Sequence, residues 1–578
     1  MKETFNNYWN NFKKQPDIWL FFGFIFTFPL SIRKVTLFFP IQQTFNEYTG
    51  IYLYASDIAF LLVLISFCFS ILKNNRAYLS RYKLWANQLI NNLYLFIPAI
   101  LVTISFLSII WSQNQTIALY KSTRLFGVYL IYLYTVIRFI PRLLFHVEHS
   151  KKNKAYQQQQ DGIVPRGTIL KSIDLVRHCS TWNNFLKIII LSGLLQSMIA
   201  IWQFITQHSI GLFWLKESSI SQNTIGVAKI ILHGQHYIRA YGLFPHPNIL
   251  GGFLLFSIIT TLLYKKTFYA NCSTWNNFKT YTINQSPNHS SETQIVPRGT
   301  FYMPSGDNKS YFSFQKLAIK KVWLIYSILW IQVIALFLTF SKSAIIGLLI
   351  SLAYIKLFHV EQLKKIILTG LILLALIFVL KPDLNALFIQ SLEERVFYLN
   401  VLRGTILANP ITGIGAGQFV LNIQEYSRKA VEIWQFQPVH NIYLEMWSEL
   451  GIVSLGLFLW MTWKLFHVEQ FNKNKPPQQF QGSNVPRGTS QKNNIDKKDE
   501  IEIGDDMRDT SILCNSYNIL SIETTLRYFQ GILLGFLFIG LFDHYFWDIW
   551  PGQVLFWLII GTIAGIKQKE IHNARSKV

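Results

Sequence analysis

Three side chains in polar stretches between long apolar runs are suited to chemistry on a phosphate-bearing substrate: Arg239, Arg395 and His440. Guanidinium groups bind phosphate through two parallel hydrogen bonds. A histidine with a pKa near neutrality is able to remove the proton of a hydroxyl group. Two arginines and one histidine therefore favour a reaction in which a hydroxyl attacks and a phosphate leaves.

The stretch RAYGLFPHPNILGGF (239–253) holds Arg239, His246 and Asn248 just before an apolar run. Arg239 either anchors a helix end at lipid headgroups or binds an anionic substrate. His246 and Asn248 either cap the helix that follows or line a binding site. Pro247 and the paired glycines at 251–252 favour a broken helix start that another backbone approaches closely.

A short turn between two apolar runs, TFSKSA (339–344), contains Lys342. A lysine at this place either marks the membrane interface or directs a cation toward phosphate. Both interpretations stay open on the sequence alone.

The stretch around Arg395 has helical spacing, since Leu399, Leu402 and Ile406 follow it at intervals of three or four residues. Arg395 is thus expected to face the protein rather than water. Pro410 ends this helix, and the glycines of GIGAG are expected to make a flexible turn. That glycine pattern is not a dinucleotide-binding fingerprint, because no strand precedes it.

A final stretch, PVHNIYLEMWSELGI (438–452), opens another apolar run with His440 and Asn441. Amide groups at a helix N-terminus favour anions. Glu445 and Glu449 follow at helical spacing, and carboxylates within a membrane span are costly unless they are paired or functional. No cluster of acidic residues suggests a divalent cation, so we expect neither a metal nor a cofactor.

These residues must be positioned by membrane helices. Of the 578 residues, 51% are hydrophobic and only 14% charged, whereas soluble domains carry roughly 25% charged residues. Apolar runs near the ~20 residues that cross a bilayer recur along the chain and should be helical. We expect an all-α, polytopic membrane protein without a cleavable signal peptide. Its predicted spans are 18–38, 53–73, 89–111, 117–140, 186–206, 246–264, 320–340, 343–358, 364–380, 441–465, 527–547 and 551–567.

Basic loops set the expected orientation. Lysines and arginines collect in alternate loops, which the positive-inside rule places in the cytoplasm together with both termini. The chain would then span a membrane with two large loops on the side opposite the cytoplasm, 207–245 and 381–440. The net charge of +23 is explained by these loops, so nucleic-acid binding is not expected.

Three polar segments on the expected cytoplasmic side resemble disordered linkers. They divide the chain into spans 1–4, spans 5–6, a core of spans 7–10 and spans 11–12. The corresponding boundaries are 1–140, linker 141–185, 186–264, linker 265–319, 320–467, linker 468–526 and 527–578.

Recurring peptides in or beside segments on the expected cytoplasmic side are explained by DNA rather than by protein structure. FHVEH or FHVEQ begins at 145, 358 and 466, VPRGT at 164, 296 and 485, and CSTWN at 179 and 272. The palindrome TGTTCCACGTGGAACA encodes all three peptides in its three reading frames. His146, Glu148 and His149 therefore need not be a metal site. Cys179 and Cys272 arise in the same way, and neither they nor Cys68 and Cys514 form a CxxC pair.

With the repeats set aside, the remaining motifs resemble the O-antigen ligase and polymerase superfamily. The resemblance rests on Arg239 with PNILGG, the SKSA turn, Arg395 followed by NPITGIGAGQF, and VHNIYLEMWSELGI. It covers roughly residues 15–567 and is most specific over 395–452. In this family the turn after span seven usually carries arginine, and here it carries Lys342, which keeps the charge but lacks the planar fork.

The resemblance implies an integral-membrane glycosyltransferase that moves a glycan from undecaprenyl diphosphate to an acceptor sugar outside the membrane. Arg239 and Arg395 would hold the diphosphate and stabilise it as leaving group. His440 would orient or deprotonate the acceptor hydroxyl, with inversion at the anomeric carbon. Asn441 and Glu449 would support the site.

Ligase and polymerase share these motifs, so both remain possible. A transporter or flippase for lipid-linked glycans would place charges along several spans and broken helices in two related halves, and the sequence shows neither pattern. A purely structural role would leave the arginines and His440 unexplained.

Overall fold

The fold is described from a computed structural model. The structure describes residues 12–13, 15–73, 93–140, 168–224, 226–232, 234–283, 308–356, 383–427, 429–467 and 522–575. The predicted span 364–380 and the peptide 144–150 lie outside these residues.

The described chain is mostly helical. Its helices are α1 (Pro16–Thr27), α2 (Ala55–Lys73), α3 (Leu93–Leu107), α4 (Gln115–Tyr134), α5 (Thr168–Thr206), α6 (Pro247–Ile283), α7 (Asn308–Leu338), α8 (Lys342–Lys356), α9 (Asp383–Ala408), α10 (Phe419–Tyr426), α11 (Ile442–Phe466), α12 (Ile522–Ile539), α13 (Tyr545–Asp548) and α14 (Trp550–Arg575).

Seven of these helices are long and apolar enough to cross a membrane, and they contain 55–72, 182–206, 247–268, 320–338, 442–466, 522–539 and 550–568. Residues 16–30 and 96–111 form shorter apolar helices. α4 and α8 coincide with two further predicted spans but do not meet the same criteria of length and apolarity. The protein is therefore a multi-pass membrane protein, and the expected number of about twelve spans stays a prediction.

The expectation of an all-α fold was wrong in two places. Strands β1 (Arg33–Phe38) and β2 (Gly50–Tyr54) pair antiparallel, as do β3 (Lys229–Leu232) and β4 (Gln235–Ile238). β1 occupies the end of the predicted span 18–38, because Ser31 adopts a left-handed φ of 54° and ends the helix there. Its sequence, RKVTLF, is rich in β-branched and aromatic residues, which favour strands.

One prediction about a helix end was also wrong. The predicted span 527–547 stops at Ile539, and a turn follows before α13. Helices α5, α6 and α7 extend into the segments 141–185 and 265–319 that were predicted to be disordered linkers. The division of the chain at these segments stays a prediction.

The main apolar core lies where the long helices meet. α5, α6 and α7 pack against one another, α8 packs against α12, and α14 packs against α4 and α12. A buried ion pair joins the first helix to the end of the fourth, since Arg138 Nε and Nη2 lie 2.7 and 3.1 Å from the two carboxylate oxygens of Asp17. Tyr134 donates a further hydrogen bond to Asp17.

A second, smaller core joins α9, α10 and the loop before α11 to the loop between β1 and β2. It contains Ile41, Tyr398, Val401, Leu402, Ile414, Phe419, Val420, Ile423, Val431, Phe436 and Val439, and we call it the cap core. Gln42 and Asn46 donate hydrogen bonds of 2.9 and 2.8 Å to the carbonyls of Val431 and Phe436. These contacts hold the loop that carries Tyr48 against the start of α11.

Candidate functional site

The turn between α12 and α14 is the centre to which the candidate residues converge. It carries Asp543, His544 and Asp548, all with buried side chains. Asp543 Oδ1 accepts a hydrogen bond of 2.9 Å from the backbone N–H of His544. His544 Nδ1 lies 2.9 Å from Asp548 Oδ1, one helical turn away.

Arg239 is connected to this turn through one amide side chain. Its Nη2 donates to Asn248 Oδ1 at 2.5 Å, and Asn248 Nδ2 donates to Asp543 Oδ2 at 2.6 Å. Arg239 Nε donates to the carbonyl of Thr339 at 2.7 Å. Asn248 is therefore a bridge within the site rather than the cap of α6.

His246 caps α6, since its Nδ1 accepts a hydrogen bond of 3.2 Å from the backbone N–H of Asn248. Burial of the ring and the charge of Arg239 lower the pKa of His246 to about 3. A neutral imidazole with one nitrogen committed to the backbone is a structural element here, although it lies among the charged residues of the site.

His440 and Asn441 lie where α11 begins. Asn441 caps this helix, because its Oδ1 accepts from the backbone N–H groups of Tyr443 and Leu444 at 3.0 Å each. Its Nδ2 donates to the carbonyl of Leu541 at 3.2 Å, which ties the helix start to the turn after α12.

The half-buried ring of His440 is held between two other rings. Its centroid lies 6.0 Å from that of Tyr398 and 5.1 Å from that of His544. Burial and, after it, the positive charge of His544 lower the pKa of His440 to about 4. The ring is neutral at physiological pH and so able to accept a proton.

Arg395 approaches the same place from α9. Its guanidinium carbon lies 5.6 Å from the ring centroid of Phe542, and its charge contributes to the low pKa of His440. Arg395 is half-buried, as its helical spacing predicts. The expected apolar stripe is not buried throughout, however, because Leu399 is exposed.

Arg239 and Arg395 differ from other arginines in the described part of the chain. Arg33, Arg124, Arg138 and Arg527 each lie within 4 Å of a carboxylate. No described carboxylate forms an ion pair with either half-buried arginine of the site. A partly buried cation without an anion is costly, so these two side chains are suited to an anionic ligand.

Lys342 is the first residue of α8 and is exposed. Within the described ranges it makes no hydrogen bond or ion pair. The residues just before it do lie at the site, since the carbonyl of Thr339 accepts a hydrogen bond from Arg239. Ser341 packs closely against α6, because a Cβ added at Gly251 would lie 3.1 Å from the Cβ of Ser341. The structure therefore does not join Lys342 to the cluster by any contact.

Glu445 and Glu449 face the turn from α11. Trp547 Nε1 donates to Glu449 Oε2 at 3.1 Å. In the described residues, Glu445 Oε2 and Asp548 Oδ2 are buried without a hydrogen-bond partner. Asp548 also borders a cavity of about 30 Å³, which has room for roughly one water molecule.

The glycine-rich turn of 413–417 is ordered by backbone hydrogen bonds, so the expectation of a flexible turn was wrong. The N–H groups of Ile414 and Gly415 each donate at 2.9 Å to the carbonyls of Ser448 and Glu449. α11 is broken at Gly451, whose φ is 81°, and the next N–H, of Ile452, bonds to the carbonyl of Pro410 at 3.1 Å. These backbone hydrogen bonds hold the part of α11 that carries Glu449 in place.

A comparison with family descriptions then identifies part of the chain. Residues 327–460 match the O-antigen ligase family, Wzy_C. The match confirms the resemblance to the O-antigen ligase and polymerase superfamily and spans roughly a quarter of the 578 residues. It points to a membrane enzyme of the O-antigen ligase or polymerase type. A search of curated proteins found no match.

The O-antigen ligase segment contains Lys342, Arg395, His440, Asn441 and Glu449, whereas Arg239, His246 and Asn248 precede it. Asp543, His544 and Asp548 follow it, and sequence reasoning missed them because they were assigned to a span or its end. Three ionisable residues within six positions, at the end of an apolar run, were a usable signal, since such residues are rare inside spans.

Proposed function

We propose that the protein is a membrane glycosyltransferase that moves a glycan from undecaprenyl diphosphate to an acceptor hydroxyl. The reaction would take place on the external face of the bacterial cytoplasmic membrane, with both termini in the cytoplasm, and would use neither metal ion nor cofactor. Its partners would be the lipid-linked donor, a glycan or glycolipid acceptor and the bilayer.

One observation carries this proposal. Two half-buried arginines without a described carboxylate partner lie in the same cluster as a histidine whose ring is neutral. Arg239 is linked to the cluster by hydrogen bonds through Asn248 to Asp543. The guanidinium of Arg395 lies over the ring of Phe542, next to the cluster. Cations suited to a diphosphate and a base suited to a hydroxyl are the two requirements of the proposed transfer.

In the proposed reaction Arg239 and Arg395 bind the diphosphate. Arg239 donates hydrogen bonds through Nε to the carbonyl of Thr339 and through Nη2 to Asn248. These two bonds fix the plane of the guanidinium and leave its remaining N–H groups to contact the diphosphate. His440 accepts the proton of the acceptor hydroxyl as the oxygen attacks the anomeric carbon. The bond from that carbon to the diphosphate breaks, and the arginines stabilise the charge that develops on the leaving group. Attack opposite the diphosphate inverts the anomeric carbon.

The other candidate residues take supporting roles in this proposal. Asn441 fixes the start of α11 and thereby the place of His440. Glu449 orients Trp547 beside the cluster. His246 and Asn248 position Arg239, and the exposed Lys342 would offer a further cation to the donor.

The proposal is tested by transfer from an undecaprenyl-diphosphate-linked oligosaccharide in proteoliposomes. Arg395→Ala and His440→Ala are expected to reduce transfer at least a hundredfold, in line with the loss of a charge-stabilising or proton-accepting group. Arg403→Ala is the matched control, since Arg403 is exposed on the same helix. If correctly inserted Arg395→Ala and His440→Ala proteins kept full transfer, the assignment would be wrong.

A polymerase of the same superfamily is the alternative, because the family match does not separate the two reactions. The two differ in the acceptor, which is a second lipid-linked glycan for a polymerase. Supplying the donor alone distinguishes them: a polymerase forms longer chains from it, and a ligase requires a separate acceptor.

A further inference from the structure

The cluster contains a second histidine, His544, that the proposed transfer does not yet use. Its ring meets that of His440 nearly edge-on, with centroids 5.1 Å apart and an interplanar angle of 81°. The side chain is only 5% exposed. A ring buried this deeply against a proposed base is placed to affect how that base is oriented and charged.

Asp548 holds His544 from one helical turn away. His544 Nδ1 lies 2.9 Å from Asp548 Oδ1, and both side chains are buried. The other carboxylate oxygen, Oδ2, has no hydrogen-bond partner within the described residues. A buried carboxylate is stabilised by a nearby cation, and His544 is the ion-pair partner of Asp548 here.

Other groups face His544 from each element packed around it. The ring of Tyr48, in the loop between β1 and β2, lies with its centroid 5.5 Å away. Lys121 on α4 opposes a positive charge on His544, and Asp543 on the same turn favours one. Arg395 on α9 opposes a positive charge on His440, and the buried Glu445 on α11 lies close enough to Asp548 and Asp543 to feel their charges.

The balance of these charges favours a proton on His544 over one on His440. Burial disfavours a charge on His544, but the charge of Asp548 and the hydrogen bond to it outweigh burial and raise the pKa of His544. For His440, burial and the charge of His544 act in the same direction and lower the pKa. A positive charge on one imidazole disfavours a second positive charge on its neighbour. The proton therefore resides on His544, the ring beside the carboxylate of Asp548.

We propose that His544, held as a cation by Asp548, is a positioning residue that keeps the adjacent His440 ring neutral and oriented. The inference rests on the proposed function, in which His440 accepts a proton. His544 need not touch the substrate, because it acts through His440.

The titration of His440 tests this proposal without any substrate. The full chain, labelled with ¹⁵N-histidine and placed in lipid nanodiscs, is titrated by NMR, and His440 is assigned by comparison with His440→Gln. In His544→Gln we expect the pKa of His440 to rise by about one unit, since a unit charge at this distance has that order of effect. His544→Lys, which keeps the charge, should preserve the low pKa. His236→Gln, at an exposed histidine on β4, is the control.

If the His440 titration were the same in His544→Gln and the unmodified protein, the proposal would be overturned. His440→Ala would still lose transfer in that case, so the proposed function would stand. Conversely, a protein that transfers no glycan but shows the shift would lose the proposed function and keep the His544 effect. Should His544→Gln fail to fold, Asp548→Asn replaces it: a His544 pKa that does not fall in that variant contradicts the ion pair.

Discussion

Asn248 and Asp543 are 295 positions apart in the chain, yet their side chains share a hydrogen bond of 2.6 Å. The same amide accepts a hydrogen bond from Arg239 through its oxygen. One side chain therefore links the arginine before α6 to the turn that carries His544. The two sides of the proposed site are aligned through this bridge.

Asn248→Ala should disconnect Arg239 from that turn. Hydrogen bonds to charged groups contribute about 1.5–3 kcal/mol, so we expect transfer to fall roughly tenfold to a hundredfold. Because Arg239 is proposed to bind the donor, a raised KM for the lipid-linked donor should account for most of the loss. Asn223→Ala, at an exposed asparagine in the loop before α6, should leave the kinetics unchanged. An equal loss in both variants would show that the bridge has no special role.

The pH dependence of transfer should report His440. A base must be unprotonated to act, so transfer should persist as pH falls past 6.5 and decline through about 4, where burial and His544 place the pKa of His440. Initial rates between about pH 3.5 and 9 measure the midpoint of this decline. A midpoint near the ordinary histidine value of 6.5 would contradict the assignment of His440 as the buried base.

Gly451 should not tolerate a side chain. A Cβ there would lie 1.7 Å from the carbonyl oxygen of Ile411, and φ is 81°. With ψ at 172°, this is a conformation that is essentially confined to glycine and costs other residues about 1–3 kcal/mol, and the steric conflict adds to this. Gly451→Ala should lower the thermal unfolding midpoint of the purified protein, measured by the loss of monodisperse protein on heating.

Gly456 provides the matched control on the same helix, because a Cβ there meets nothing within 4 Å. Gly456→Ala is expected to be neutral or slightly stabilising, since alanine favours helix over glycine by about 1 kcal/mol. Equal stability of the two variants would show that the backbone hydrogen bonds between α11 and the segment 410–415 do not depend on a glycine at position 451.

The ion pair of Asp17 and Arg138 should matter far more than an exposed pair. Removing one partner of a buried pair costs about 3–5 kcal/mol, because the other charge remains buried. Asp17→Asn should therefore destabilise the protein strongly. Glu523→Gln breaks a partly exposed pair with Arg527, and such pairs contribute about 0–1 kcal/mol. Thermal unfolding of the two variants side by side measures the difference.

Hydrophobicity was sufficient to predict the seven helices of the described chain that are long and apolar enough to cross a membrane, whereas the site roles of Arg239, Arg395 and His440 stay a proposal. These predictions work because a bilayer demands long apolar helices and leaves few places for charged groups. Hydrophobicity did not predict that Asn248 would bridge Arg239 to Asp543. Such a contact depends on how α6 and α12 pack, and it cannot be inferred from the spacing of residues in the sequence.

Asp543 and His544 were missed for a different reason. Apolar residues lie on both sides of them, and the predicted span 527–547 therefore included both residues. The strand pairing of 33–38 with 50–54 was missed in the same way, since an apolar strand and the end of an apolar helix look alike over six residues. Only the left-handed conformation at Ser31 and the turn after Ile539 separate these elements.

The candidate site draws on three stretches of chain, at 239–248, 395–449 and 543–548. Copies of the palindrome-encoded peptide VPRGT at 296 and 485 fall in the connections between these stretches. A side-chain hydrogen bond and helix packing align the stretches, and neither depends on the length of these connections. We therefore expect the protein to accept insertions at these two points while the site keeps its geometry.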